Sequence, residues 1–471
     1  MKQIVILIFA LLFVQTAMAQ KLDRSQRPMA GKAPKLNYTD PVIYKLSNGI
    51  TVLVVENHKL PRVTASYLID AGPVSEGSKA GKLSLMGQIL NEGTISISKV
   101  EFDGAIDEMG AQISLSSSKA EVIALTRYFK PAFILMADAL RKPALSQESL
   151  DKLKSQMITG LKANELNSKV ISDRVTNALL FGSAHPLGEF ETEHTINSVS
   201  LGDLKDAHEK YITPSRGYLI FVGNIRPTAA KALAESVFGD WKGSVLKFPV
   251  LAPVAPTRGT EIDVVDLPNA VQAEIKVAGL VSLPLDDPDY HAVLLANQIL
   301  GGGAEARLFR NLREQHGFTY GAYSSIGSGR FQTTFSAYAS VRNEKVDSAV
   351  TEFLTEIKLM CNQPVSIEEL QNAKNLYNGS FALGLENPAR MAGFAADILI
   401  NDLPQDFYRT YLTKINAVTP EDILHVSKKY FNADQARIVI VGKKAEFMNG
   451  LKKMGIPVKL LDKFALPMSG M

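Results

Sequence analysis

Apolar and polar positions along the chain predict strands followed by long helices, in an order that occurs twice. Ile50 to Val55 reads as a buried strand. Val63, Ala65, Tyr67 and Ile69 then alternate with Thr64, Ser66, Leu68 and Asp70, the period of two expected of a strand, although Leu68 blurs the polar side. Farther on, Ile275 and Val277 alternate with Glu274 and Lys276, and a helical pattern follows around Leu294, Leu295, Ile299 and Leu300. Ala304 to His316 predicts another helix, ended by Gly317, with a strand from Phe318 to Ser324. Strands and helices in this order imply an α+β fold of helices packed on mostly antiparallel sheets.

The order recurs at a period near 220 residues. Residues 198–223 align without gaps on residues 417–442, so that Val199, Asp203, Lys210, Tyr211, Val222 and Gly223 return as Val418, Asp422, Lys429, Tyr430, Val441 and Gly442. Ser200 with Asp203, and Thr419 with Asp422, predict matching helix caps, because their oxygens can accept the free amide hydrogens of a first turn. LSQESLDKLK from residue 145 pairs with VSIEELQNAK from residue 365, and Gln88-Ile89-Leu90 with Gln298-Ile299-Leu300. Between the copies, Phe248 to Thr260 contains Pro249, Pro253 and Pro256, which favour an extended connector. The expected organisation is a leader over 1–19, an extension over 20–40, a first half over 41–247, the connector at 248–260 and a second half over 261–471.

Composition narrows the classes of function. With 51 Lys and Arg against 48 Asp and Glu, the formal charge of +3 gives no strong field for nucleic acid or acidic lipid. The 46% hydrophobic content across 471 residues is that of a globular chain with large cores. Lys2, the apolar run Ile4–Val14 and Ala17-Met18-Ala19 predict an export signal cut before Gln20, too short to span a bilayer. The mature chain is expected to be secreted, most simply into a periplasm, without membrane insertion. Cys361 is the only cysteine, so no disulfide framework is available.

Chemistry is sparse. None of the seven histidines forms a helical metal pair, and no H-x-x-E-H, C-x-x-C or G-x-S-x-G occurs. Glu189, Glu191, Glu193 and His194 form a run with ligand chemistry, read as a hydrated acidic segment. Gly301-Gly302-Gly303 follows a helical pattern, where a phosphate loop would precede one, and reads as a helix stop. Arg313 falls near a helix end and Tyr320 at a strand start; on physics alone the first could serve the helix dipole and the second could pack.

GKLSLMGQILNEGT, residues 81–94, resembles the G-x-x-H-x-x-E-H-x-L-x-x-G-T region of the pitrilysin/insulinase family of zinc peptidases. AHPLG at 184–188, Tyr211 to Gly223, and residues 300–325 resemble further stations of that family, so the resemblance extends over nearly all of the mature chain. It implies two homologous halves, each of two α/β sandwich subdomains, in a bowl or clam-shell arrangement. It also implies that Arg313 and Tyr320, seven apart, hydrogen-bond the backbone of a bound peptide.

Where the family has two zinc-binding histidines and a catalytic glutamate, this chain has Ser84, Gln88 and Gly87. A hydroxyl and an amide are poor zinc ligands, and glycine has no carboxylate to take a proton from water. Glu165 lies at the spacing of the family's third ligand, and is otherwise an exposed helix charge. The expectation is a chain with no zinc of its own, inactive alone, serving as the substrate-binding subunit of a heterodimeric zinc metallopeptidase. Zinc then sits in a homologous partner carrying H-x-x-E-H, and the substrate is a peptide or unfolded segment. The alternatives are an inert structural or peptide-holding pseudopeptidase, and a stand-alone zinc endopeptidase with improvised ligands such as Glu165.

Overall fold

The computed structural model describes residues 40–468, and the leader and almost all of the extension lie outside them. Twelve strands in this part form two six-stranded sheets. The first contains β1 (Val42–Lys45), β2 (Thr51–Glu56), β3 (Arg62–Ile69), β4 (Gln112–Leu115), β5 (Lys119–Leu125) and β6 (Gly217–Gly223), in the order β1-β2-β6-β3-β5-β4. The second contains β7 (Glu261–Asp266), β8 (Gln272–Val281), β9 (Thr319–Ile326), β10 (Thr333–Arg342), β11 (Arg437–Gly442) and β12 (Val458–Leu461), in the order β12-β7-β11-β8-β10-β9. The inner orders match strand for strand, as the sequence repeat predicts. Only the sixth strands differ: β1 precedes its half and runs antiparallel to β2, whereas β12 ends the chain and runs parallel to β7.

Both predicted caps form. The side chain of Ser200 accepts from the Asp203 amide and that of Thr419 from the Asp422 amide, each in a reciprocal capping box. One face of the first sheet is covered by helices of its own half, including Thr126–Arg141 and Pro227–Phe238, around fully buried Phe133, Phe221 and Phe238. Each such side chain taken from water stabilises the fold by about 1.5–3 kcal/mol.

The other face of each sheet is covered by a helix from the opposite half. Ile171 and Val175 of helix Ser168–Phe181 pack on Val265, Val439, Val441 and Leu461. Reciprocally, Ala392, Ala395 and Ala396 of helix Pro388–Ile400 pack on Leu53, Val55 and Ile220. Asp173 of the first helix also forms an ion pair with Lys276 on β8. This exchange accounts for strands buried on both faces, such as β2 and β11.

The connector, residues 248–260, forms neither helix nor strand. Gln332 fixes it by exchanging hydrogen bonds with the Val254 amide and carbonyl at 2.8 and 3.0 Å. At its start Phe248 stacks on Phe331, with centroids 5.2 Å apart, and carries the guanidinium groups of Arg216 and Arg330 over its ring. Both arginines pair with the buried carboxylate of Asp70 at the end of β3, so one acid joins the two halves to the connector.

Candidate functional site

Ser84, Gly87 and Gln88 all lie on helix Lys82–Ile89. Its first turn is capped from outside: Glu76 accepts from the Leu83 amide at 2.7 Å, and burial raises the Glu76 pKa although that hydrogen bond opposes it. Glu189 in turn accepts from the amides of Glu76 and Gly77 and from the Ser75 hydroxyl, at 2.6 to 3.0 Å. At the other end, Asn91 donates to the carbonyls of Gly87, Gln88 and Leu115 and accepts from the Leu115 amide. The helix is thereby held against β4 and the turn that follows it.

That turn determines what residue 87 can be. A Cβ added at Gly87 would lie 2.6 Å from the Ser117 nitrogen and 3.0 Å from two backbone carbons of Ser116, so the glycine permits a close approach of helix and turn. A catalytic glutamate does not fit there without moving backbone.

Ser84 is also committed, since its side chain hydrogen-bonds Glu191, whose pKa is raised by burial against the opposing influence of Ser84 and Arg174. Glu165 caps the end of helix Gln147–Asn164 and pairs with Lys463 at 2.6 Å. Glu193 pairs with Lys162. Two expectations are corrected here. Glu189 and Glu191 are half-buried and bonded within the fold where a hydrated run was expected, because they organise the loop before helix Lys82–Ile89. Glu165 is likewise half-buried and ion-paired where an exposed helix charge was expected. Among the described residues no group of three or more His, Cys, Asp or Glu is placed to hold a metal ion. Ser84, Gln88 and Glu165 do not fit zinc: two are neutral and weakly donating, and the carboxylate already has an ammonium partner.

The second predicted cluster lies at the free edge of the second sheet. Gly301 ends the helix Tyr290–Gly301, and its missing Cβ makes room for the Ser324 nitrogen on β9, only 2.2 Å from where that atom would stand. Where one continuous helix was expected from Ala304, a short turn at Arg307–Phe309 runs into a π-helix at Arg310–Gln315. Its wider winding shows in the His316 amide bonding to the Asn311 carbonyl at 3.1 Å. Arg313, in the last turn of that segment, is exposed and stacks over Phe309 at 4.7 Å.

Gly317 (φ 61°) reverses the chain into β9. Along β9 and β10, Ala322 faces Ala339 and Thr319 faces Val341, so Tyr320 and Gly321 together oppose Ser340 in a β-bulge. The bulge leaves Tyr320 85% exposed, which removes the reading in which it packs. β9 has no strand on its outer side among the described residues. Sequence reasoning found the arginine and tyrosine but missed the bulge; around the other helix it singled out Glu191 without its role, and it missed Arg174 and Lys463. Lys463 lies 298 residues from Glu165, and no local pattern marks such a pair.

Helix Lys82–Ile89 offers no side-chain set that fits zinc, and in the second sheet β9 leaves one edge unpaired among the described residues. The profile of the Peptidase M16 inactive domain matches residues 198–377. A Bacillus subtilis (strain 168) protein called uncharacterized zinc protease YmxG is 24% identical over 416 residues, 84% of this chain and 97% of its own length. A Helicobacter pylori protein called non-peptidase homolog YmxG is 21% identical over 403 residues, covering 84% and 92%. The crystal structure of a peptidase M16 inactive domain from Pseudomonas fluorescens superposes with a TM-score of 0.76 at 25% identity, over 86% of this chain and 98% of that one. The chain is thus similar to the Peptidase M16 inactive domain over residues 198–377 and, over most of its length, to proteins named as zinc proteases and as a non-peptidase homolog.

Proposed function

We propose that this chain is the exported, substrate-binding subunit of a heterodimeric zinc metallopeptidase. The partner is a homologous subunit carrying H-x-x-E-H and the zinc, and the substrate is a peptide or an unfolded segment. The observation that carries the reading is the unpaired edge of β9, with a bulge that projects Tyr320 into solvent beside the segment bearing Arg313. An extended peptide is recognised by such a site through its backbone amides and carbonyls, giving broad sequence tolerance. Arg313 and the Tyr320 hydroxyl orient the carbonyls near the scissile bond, and a zinc held by the partner's H-x-x-E-H would lower the pKa of the attacking water.

The test is reconstitution. The chain alone is expected to leave a quenched unfolded peptide intact, and addition of the zinc-bearing homologue encoded in the same genome to produce chelator-sensitive cleavage. Arg313→Ala and Tyr320→Phe should each lower kcat/KM about 10- to 100-fold, with the dimer intact by size-exclusion chromatography. Unchanged turnover in both variants would remove their role. Absence of cleavage with any such homologue would favour a peptide-holding pseudopeptidase, a reading supported by the lack of fit for zinc around Ser84.

A further inference from the structure

The carboxylates beside the vacated metal helix are neutralised by cations of the chain itself. Glu165 caps a helix C-terminus, where the helix dipole opposes a negative charge. Lys463 reaches it across the fold at 2.6 Å, and Arg174 stands within electrostatic range of both Glu165 and Glu191. Arg174 lies over the rings of Phe190 at 5.3 Å and Phe464 at 5.6 Å, and those rings stack at 15°. Lys463 and Phe464 belong to the loop that follows β12. Asp462 accepts there from the amides of Phe464 and Leu466 at 2.8 and 2.9 Å, Ala465 adopts a φ of 64°, and the Met468 amide returns to the Leu460 carbonyl at 3.0 Å. The loop is therefore a closed structure anchored on β12, whose Leu461 packs on Ile171 and Val175.

We propose that the loop Asp462–Met468 is a strap that closes the former metal position, with Lys463 and Arg174 replacing the positive charge of a divalent ion. An incoming zinc would face the like charge of two fixed cations, a repulsion that is stronger at a protein surface than in bulk water. Loss of the ligands and presence of the strap are thus two parts of one adaptation, and restoring ligands alone does not restore the metal.

Equilibrium dialysis against zinc chloride tests this on the full chain alone. Because no partner or peptide takes part, the result is independent of the proposed subunit role. Three forms are compared: Ser84→His with Gln88→His, which restores both imidazoles and leaves Gly87 in place; Lys463→Gln; and all three changes together. The triple variant is expected to bind one zinc about 10- to 100-fold more tightly than the double variant. Equal affinities, or no zinc bound by the triple variant, would overturn the proposal. Lys463→Gln by itself should also speed hydrogen exchange at the Phe464 and Leu466 amides, and unchanged exchange would overturn the strap. Lys463→Met, which keeps the aliphatic stem, replaces Lys463→Gln if the latter fails to fold.

Discussion

Around helix Lys82–Ile89 the polar side chains are bonded to one another, whereas at β9 the chain leaves an aromatic hydroxyl and a guanidinium facing water. Ser84, Glu191 and Arg174 are held together near Glu165 and Lys463 in the first region. Tyr320, 85% exposed on a bulge, has little to do for the stability of the second. The two regions occupy equivalent places in halves with the same inner strand order, so topology alone does not explain the difference. Around the first helix, carboxylates taken partly out of water require counter-charge, and Arg174 and Lys463 supply it. At β9 Tyr320 stays exposed, and the exposed Arg313 touches Phe309 within its own segment.

The reciprocal helices offer the severest test of the equivalence of the halves. Val175→Asp would place a charge against Val439 and Val441, and Ala395→Asp would do the same against Leu53 and Ile220. Each is expected to destabilise by about 4 kcal/mol or more, the size typical of an unpaired buried charge. Since each half completes the other's core, urea unfolding followed by fluorescence and by circular dichroism should show one coincident transition for the wild-type chain. Two separated transitions would mean that the halves are independent.

The same exchange explains what the sequence did and did not disclose. The repeat and the caps at Ser200 and Thr419 were legible because a cap is local and a repeat is written in the order of residues. Leu68, which blurred the alternation of β3, is the trace of a second covered face: it packs with Leu53 and Val55 beneath helix Pro388–Ile400. Nothing near Leu68 names the helix that covers it, since the two are more than 300 residues apart. The Arg313 and Tyr320 spacing was readable, but the bulge that exposes Tyr320 depends on β10, and a strand pairing register is not visible within one strand. Around Ser84 the missing ligands were evident, whereas the Glu165–Lys463 ion pair joins residues 298 apart, and no local pattern marks it.

The packing glycines sharpen the comparison at intermediate size. Gly87 and Gly301 sit on equivalent helices, and each admits a backbone nitrogen of the neighbouring sheet, at 2.6 Å from the absent Cβ for Gly87 and 2.2 Å for Gly301. Alanine at either site forces helix and backbone apart, by an overpacking penalty of about 1–3 kcal/mol. Gly301→Ala should be the worse of the two in thermal denaturation, because its contact is closer. The reverse order would show that the turn at Ser116–Ser117 is the stiffer neighbour.

The smallest expected effect concerns two capping carboxylates, one in each half, that draw a cation from a distant element. Burial works against the charge of Asp203, but Lys79 and Ser200 outweigh it and hold its pKa at about 2. Burial likewise opposes the charge of Glu369, and Arg307, bonded through two nitrogens at 2.7 and 3.0 Å, outweighs it with Ser366 to hold its pKa at about 2. Both values lie below the ordinary carboxylate range near 4, so the unfolded chain takes up protons first as pH falls. The stabilisation is therefore complete above about pH 5 and is lost as pH falls through 4 towards 2. Glu369→Gln should lower stability by about 1–2 kcal/mol at pH 7, with the gap to wild type narrowing as pH falls below about 4.5. Asp203→Asn should follow the same course with a smaller gap, since Lys79 offers one flexible ammonium in place of a planar fork and is better screened by water. Melting temperatures measured from pH 7 to pH 3 would decide the matter, and a gap independent of pH would show that these side chains act only as neutral caps.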